Sequence, residues 1–306
     1  MKIGCGLPVS GAWATPANIA SFCTLAEELG YASLWTFQRL LVPEGASMDP
    51  VYHSVLDPLA ALAFAAASTS RVRLGVAVIN VPYLSPAYLA KQAATVDILS
   101  AGRLDLGLGL GWMPEEFTAT GGSMERRGAR AEECVRVLRT LWGPQPAGFF
   151  GEFYEAPAGT TLPAPVQAGG PPILLGATAP NALRRVGRVA DGWVTSSRAD
   201  LSRIGESIEI VRSAAADADR DPAAIRIICR GVVRAGEPAE GASGRVLLSG
   251  SFEQITDDVA WLASQGVTEV FFDLNWDPKI GSPDADPVAA TDRAESLLEA
   301  LQPGTT

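Results

Sequence analysis

The 306-residue sequence predicts an α/β fold, a (β/α)8 barrel with rim insertions that takes up residues 1–306 as one domain. Short β-rich apolar runs alternate with helical patterns from end to end and give eight strand candidates, the pattern of successive βα units on a parallel sheet. The turn after the first strand, PVSGAW, lacks the G-x-G-x-x-G with which a dinucleotide-binding, doubly wound sheet opens.

The first strand, Lys2 to Leu7, is closed by Pro8. Thr15 as N-cap and Pro16 at the first helical position start a helix that ends near Gly30. Ala32 to Phe37 is the second strand, and beyond a long loop rich in Pro and Gly the alanine-rich helix Pro58 to Ala67 packs on the sheet. The third strand, RVRLGVAVI, is almost continuously apolar, as a strand covered on both faces is. Helix Pro86 to Leu99, a fourth strand in RLDLGLGLGW and a helix from Arg126 to Leu141 follow. The stretch Gly143 to Pro172, rich in Pro, Gly and aromatics, has no long periodic run and reads as an excursion over the rim. Ile173 to Leu175, DGWVTSS, IRIICRGVV and VTEVFFDLNW are strands five to eight; helices Leu201 to Asp217, Phe252 to Gln265 and Pro287 to Leu301 separate or follow them. Residues 302–306 read as a frayed tail.

Composition removes several classes of function. Lys plus Arg is 24 and Asp plus Glu is 34, a net charge of -10, so bulk charge holds neither nucleic acid nor an anionic membrane, and an anionic ligand must meet a local site. The single histidine, His53, excludes a two-histidine zinc site, and no metal site is expected. The four cysteines lie far apart without a C-x-x-C pair and read as small buried hydrophobes of a reducing compartment. No segment has a signal-peptide core or the apolar length of a membrane span, so the expectation is a cytoplasmic protein acting on a small molecule.

The fourth strand is the most informative segment. Leu104, Leu106, Leu108 and Leu110 make one face and suit the helix-facing exterior; Asp105, Gly107, Gly109 and Gly111 make the other. Glycines there leave the upper barrel open for a flat ring, or make space for a side chain of a neighbouring strand. In PPILLGATAPNALRR a buried strand ends at Gly176, Thr178 can cap, and Pro180 opens a helix whose free N–H groups suit a phosphate, beside the bland alternative of an ordinary capped helix. Arg184, Arg185 and Arg188 read as a solvated helix face. Gln38 and Arg39 end the second strand, and Asn80 ends the third, on the rim where such barrels carry active sites. Glu116, His53 and the inward Asp273 are the candidates for acid-base work, and Trp13 and Phe37 for apolar walls.

The segments KIGCGLP, YASLWTF, RLGVAVINVPYLSPAYLAKQAATVDILSAGRLDLGLGLGWMPEEF, RGARAEECVRVLRTLW and PPILLGATAPNALRRVGRVADGW together resemble the luciferase-like monooxygenase superfamily, and most closely its branch of oxidoreductases that use the deazaflavin coenzyme F420. The resemblance implies a cofactor at the C-terminal ends of the strands. It puts the ring beside a bulge with a non-proline cis peptide between Ala77 and Val78, near Asn80, Gly109, Gly111 and Trp112, and the phosphate at Gly176, Ala177, Thr178 and Ala179. It also implies a homodimer, a common state among members. The sequence departs from the pattern where many members end the second strand with Asp-His: here stand Gln38 and Arg39. A catalytic glutamate of the sugar-phosphate dehydrogenase branch aligns with Trp112, which argues against that substrate. The implied activity is hydride transfer between F420 and a small organic substrate, with Arg39, Gln38, His53 and Glu116 as catalytic candidates. The alternatives are an FMN-dependent monooxygenase, a non-catalytic flavin or deazaflavin carrier, and a hydrolase using Glu116 and Asp273 as a carboxylate pair.

Overall fold

The computed structural model describes residues 1–237 and 245–304. Eight strands, β1 (Lys2–Gly6), β2 (Ser33–Thr36), β3 (Arg73–Asn80), β4 (Leu104–Gly109), β5 (Ile173–Gly176), β6 (Gly192–Val194), β7 (Arg226–Gly231) and β8 (Glu269–Phe272), pair in parallel and close a barrel in the order β1-β8-β7-β6-β5-β4-β3-β2. Among the described residues ten helices accompany them: α1 (Pro16–Glu28), α2 (Pro58–Ala67), α3 (Pro86–Leu99), α4 (Pro114–Thr120), α5 (Arg127–Trp142), α6 (Pro180–Val189), α7 (Ile204–Ala216), α8 (Phe252–Ser264), α9 (Pro278–Gly281) and α10 (Pro287–Ala300). The fold is thus the (β/α)8 barrel that the alternation predicts.

Local chemistry sets the helix starts. Thr15 accepts from the Asn18 amide, Asp57 from Ala60, and Asp286 from Val288 and Ala289, each followed by Pro at the first helical position. Ser251 and Gln254 complete a reciprocal capping box on α8. Strands four, six and eight pair over fewer residues than their apolar runs because their upper ends leave the ladder and become loop, as at Leu274–Trp276, which winds into a 3-10 turn. Among the described residues no helix is long and apolar enough to cross a membrane.

The barrel interior is layered. At the lower end Asp105 accepts two hydrogen bonds from Arg73 (2.8 and 2.7 Å) and two from Arg226 (2.6 and 3.0 Å), and Arg226 also reaches Glu269 at 3.2 Å. Burial acts to raise the Asp105 pKa, but the hydrogen bonds from Arg73 and Arg226 outweigh it and hold the carboxyl below its ordinary value. Above this plug Trp35 stacks on Phe271 at 5.0 Å within an inner apolar layer with Leu174 and Ile228; Gly75 is the residue that leaves room for the indole. Leu104, Leu106 and Leu108 of β4 join the main core, as their alternation requires, but Leu110, expected on the same face, lies past the end of the strand and lines the cleft instead. All four cysteines are buried and unpaired.

Residues 143–172 carry structure that their sequence does not announce: Ala147–Phe150 and Glu155–Gly159 form an antiparallel hairpin against α5, and Gln167 reaches the lower barrel end at the Leu104 carbonyl. The Glu133 carboxylate of α5 ties the hairpin down by accepting the amides of Glu152, Phe153 and Tyr154. The run lacks a long period because each strand is short and covers only a helix flank. Of the expected frayed tail 302–306, residues 302–304 follow the buried Leu301 outside any helix or strand, and residues 305 and 306 lie outside the described residues.

Candidate functional site

At the C-terminal ends of the strands opens a cleft of 440 Å³. Its floor is made where β3 bulges: the register against β4 shifts between Val76 and Ile79, and the Ala77–Val78 peptide is cis. The glycines of β4 permit this. A Cβ on Gly107 would overlap the Val76 carbonyl oxygen, and one on Gly109 would run into Val78 Cγ2. The space beside these glycines is thus filled by the neighbouring strand, by the Val76 carbonyl at Gly107 and by the Val78 side chain at Gly109. Gly107 makes room for a neighbouring strand, while Gly109, Leu110 and Gly111 border the cleft.

Side-chain amides fasten the strand ends around this floor. Gln38 Oε1 accepts from the Asn80 amide at 2.8 Å, and Asn80 Oδ1 accepts from the Gly111 amide at 3.0 Å, so the tips of β2, β3 and β4 are tied in series. Opposite, Gly176, Ala177, Thr178 and Ala179 line the wall and lead into α6. The N-cap is Ala179, without a side-chain bond, so Thr178 does not cap as expected. The first amides of α6 consequently lack a capping oxygen, the condition under which a helix start attracts an anion. Arg127, the first residue of α5, lines the same cleft; its Nη1 donates to the Gly111 carbonyl at 2.5 Å and it has no carboxylate partner among the described residues. Arg184, Arg185 and Arg188 stand apart: Arg185 and Arg188 pair with Glu132, and Arg184 bonds Asn181.

Arg39 and Arg230 complete the cleft's cations. The Arg39 guanidinium lies 4.4 Å from the Tyr52 ring centroid and 5.0 Å from that of Trp112, with Nη1 3.1 Å from Glu116. Arg230 rises from β7, its Nε and Nη2 2.7 and 2.6 Å from Asp273 Oδ2, its Nη1 donating to the Ala77 carbonyl at 3.1 Å, and its plane 4.8 Å from Phe37. Among the described residues no carboxylate, histidine, lysine or cysteine lines the cleft; Arg39 and Arg230 are each paired with a carboxylate outside the lining, which leaves Arg127, on the α6 side, as its cation without a carboxylate partner.

Of the residues singled out from sequence, Gln38, Arg39, Ala77, Val78, Asn80, Gly109, Gly111, Trp112 and Gly176 to Ala179 converge on this cleft. Phe37 joins them, whereas His53, Glu116, Asp273 and Trp13 do not. His53 is exposed, its Nε2 3.3 Å from the Met48 carbonyl, because the short 3-10 turn Pro50–Tyr52 presents Tyr52 inward instead. Glu116 is buried behind the wall, accepting from the Leu40 amide at 2.8 Å and the Tyr83 hydroxyl at 3.0 Å. Burial, reinforced by that carboxylate, pushes the Tyr83 pKa well up. Trp13 is core, edge-on to Phe22 at 5.7 Å. With Glu116 and Asp273 each locked to an arginine and absent from the lining, the carboxylate-pair hydrolase has no site. Arg230 was missed although strand periodicity points to it, two positions beyond the inward Ile228; Arg127, in an amphipathic helix start, carries no such signal.

A family model described as luciferase-like monooxygenase matches residues 3–269. An uncharacterised protein of Mycobacterium tuberculosis is 31% identical over 285 residues, covering 90% of this chain and 92% of its own. An F420-dependent glucose-6-phosphate dehydrogenase of Kineococcus radiotolerans is 32% identical over 211 residues, 66% of this chain and 59% of that one. The crystal structure of the monooxygenase RslO1 from Streptomyces bottropensis superposes with a TM-score of 0.80 at 24% identity, over 99% of this chain and 98% of that one, a likeness of fold.

Proposed function

This chain belongs to the luciferase-like monooxygenase family, and from that premise we propose that its cleft binds the deazaflavin coenzyme F420 and that the protein is an oxidoreductase acting on a small organic substrate. The observation that carries this is the pairing of a glycine-backed floor with an uncapped helix start: Ala77, Val78 and Gly109 would hold the ring, and Gly176 to Ala179 with Arg127 its phosphate. The F420-dependent name of the Kineococcus relative adds support. When bound, the deazaflavin supplies hydride transfer.

The chain's own residues do the positioning. Gln38 and Asn80 fix the strand tips against each other, which makes them positioning residues with their carbonyl oxygens already engaged. Phe37, Tyr52 and Trp112 give the cleft above the floor an aromatic lining. Arg230, clamped by Asp273, holds the floor by its bond to the Ala77 carbonyl.

FMN is the second reading, because the α6 site recognises a phosphate that both cofactors carry. Titration of the purified protein with each, followed by cofactor fluorescence, separates them. Saturable F420 binding at least tenfold tighter than FMN is the expected result; exclusive binding of FMN would move the assignment to a flavin-dependent enzyme.

A further inference from the structure

Arg39 is 95% buried by the exposure of its side chain, 5%, yet its Nε has no hydrogen-bond partner. A guanidinium carries five N–H donors, and a buried donor left unsatisfied is costly enough to demand an explanation. The cleft's other two guanidiniums are held differently: Arg230 donates to Asp273 and to the Ala77 carbonyl, its Nη2 lacking a hydrogen-bond partner but ion-paired 2.6 Å from Asp273, and Arg127 donates through Nη1 to the Gly111 carbonyl. Tyr52 and Trp112 hold the Arg39 plane in place while Nη1 bonds Met113 Sδ, so the unpartnered Nε is fixed rather than mobile. Behind it, outside the lining, Glu116 sits 3.1 Å from Nη1 and is itself anchored by the Leu40 amide and Tyr83.

The charge arithmetic decides what such a donor accepts. Arg39 and Glu116 together are neutral, so the unpartnered Nε offers a hydrogen bond without a net positive charge. A substrate carboxylate brought to Arg39 would meet the buried Glu116 carboxylate behind it, a repulsion that works against anionic partners. We propose that Arg39 recognises a neutral carbonyl oxygen of the substrate, and that Glu116 makes the cleft select neutral carbonyl compounds over carboxylates. This rests on the cleft's being the substrate chamber of the oxidoreductase proposed above. It assigns Glu116 a specificity role instead of an acid-base one.

Benzamide and benzoate, which share a ring and differ in charge, are the probes, titrated calorimetrically into the full-length protein. Benzamide is expected to bind at least tenfold more tightly than benzoate. Arg39→Met should weaken benzamide about tenfold, and Glu116→Gln, by leaving Arg39 as an uncompensated cation, should reverse the preference. Absence of saturable benzamide binding, an equal or tighter affinity for benzoate, or an unchanged ratio in both variants overturns the proposal. If Glu116→Gln unfolds, the Arg39→Met ratio decides alone. F420 and FMN titrations run alongside keep the two readings apart: unchanged cofactor affinity in Arg39→Met leaves the site reading intact whatever the probes do, whereas a wild type that binds neither cofactor overturns the site reading.

Discussion

The floor of the cleft can be tested with one methyl group placed at two positions. In Gly109→Ala the new Cβ runs into Val78 Cγ2 and comes within 3.0 Å of Asn80 Oδ1 and 3.4 Å of Val78 Cβ. Non-bonded carbons settle at about 3.5–4.0 Å, so Val78 and the Asn80 amide must both retreat, and Asn80 is the acceptor that holds Gly111. Overpacking of this kind costs about 1–3 kcal/mol, and at roughly 2 °C per kcal/mol in a chain of this size the melting temperature should fall by about 2–6 °C. In Gly176→Ala the nearest neighbours are Val78 Cγ1 at 3.3 Å and the Leu108 carbonyl oxygen at 3.7 Å, a fit needing only a small shift, so the melting temperature should move by less than about 2 °C. Both methyls intrude on the ring's bed, so both should weaken F420 at least tenfold, a loss of about 1.4 kcal/mol of binding. Thermal unfolding and fluorescence titration of the pair give four numbers. A Gly109→Ala protein that melts and binds like wild type would refute the reasoning.

Arg127→Met removes a cation at the phosphate wall together with its bond to the Gly111 carbonyl; F420 and FMN should each weaken by roughly 10- to 100-fold, the value of a charged hydrogen bond, and equal affinities would take the phosphate from α6. Asp105→Asn breaks the lower plug and should cost about 3–5 kcal/mol in denaturant unfolding. Because the folded Asp105 pKa lies below its unfolded value, its contribution is complete above about pH 4 and is lost as pH falls through the folded pKa; unfolding midpoints from pH 6 to 2 should decline less in Asp105→Asn, and parallel curves would contradict the plug. Burial pushes the thiols of Cys23, Cys134 and Cys229 up to about 12 and raises Cys5 as well, so a disulfide-exchange reagent at pH 8 should find none of the four in the native protein and all four after denaturation. His53→Ala should leave cofactor affinity within twofold and stability within about 0.5 kcal/mol, as for other exposed positions; a large loss in either would return His53 to the site.

The barrel was legible because its signals are local and repeated: apolar runs of strand length, proline at helix starts, and the leucine and glycine faces of β4. What sequence could not supply is contact between segments far apart in the chain. The β4 glycines left a ring site and room for a neighbouring side chain both open, and only the structure reveals that the bulge of β3 fills the space at Gly107 and Gly109. Glu116 looked like a candidate acid from its place beside Trp112; its role depends on Leu40, Tyr83 and Arg39, none of them near it in sequence. His53 and Tyr52 are neighbours, and which of them turns inward is fixed by a three-residue 3-10 turn that leaves no periodic trace. The excursion at 143–172 shows the same limit, because a hairpin held by one carboxylate of α5 has no pattern of its own to read.

The central claim, that F420 lies in the top-face cleft, is tested most directly by a crystal of this protein soaked with the coenzyme. The account predicts the deazaflavin ring against Ala77, Val78 and Gly109, with its phosphate at Gly176 to Ala179 and Arg127. A coenzyme bound elsewhere, or a cleft that stays empty under saturating F420, would contradict it.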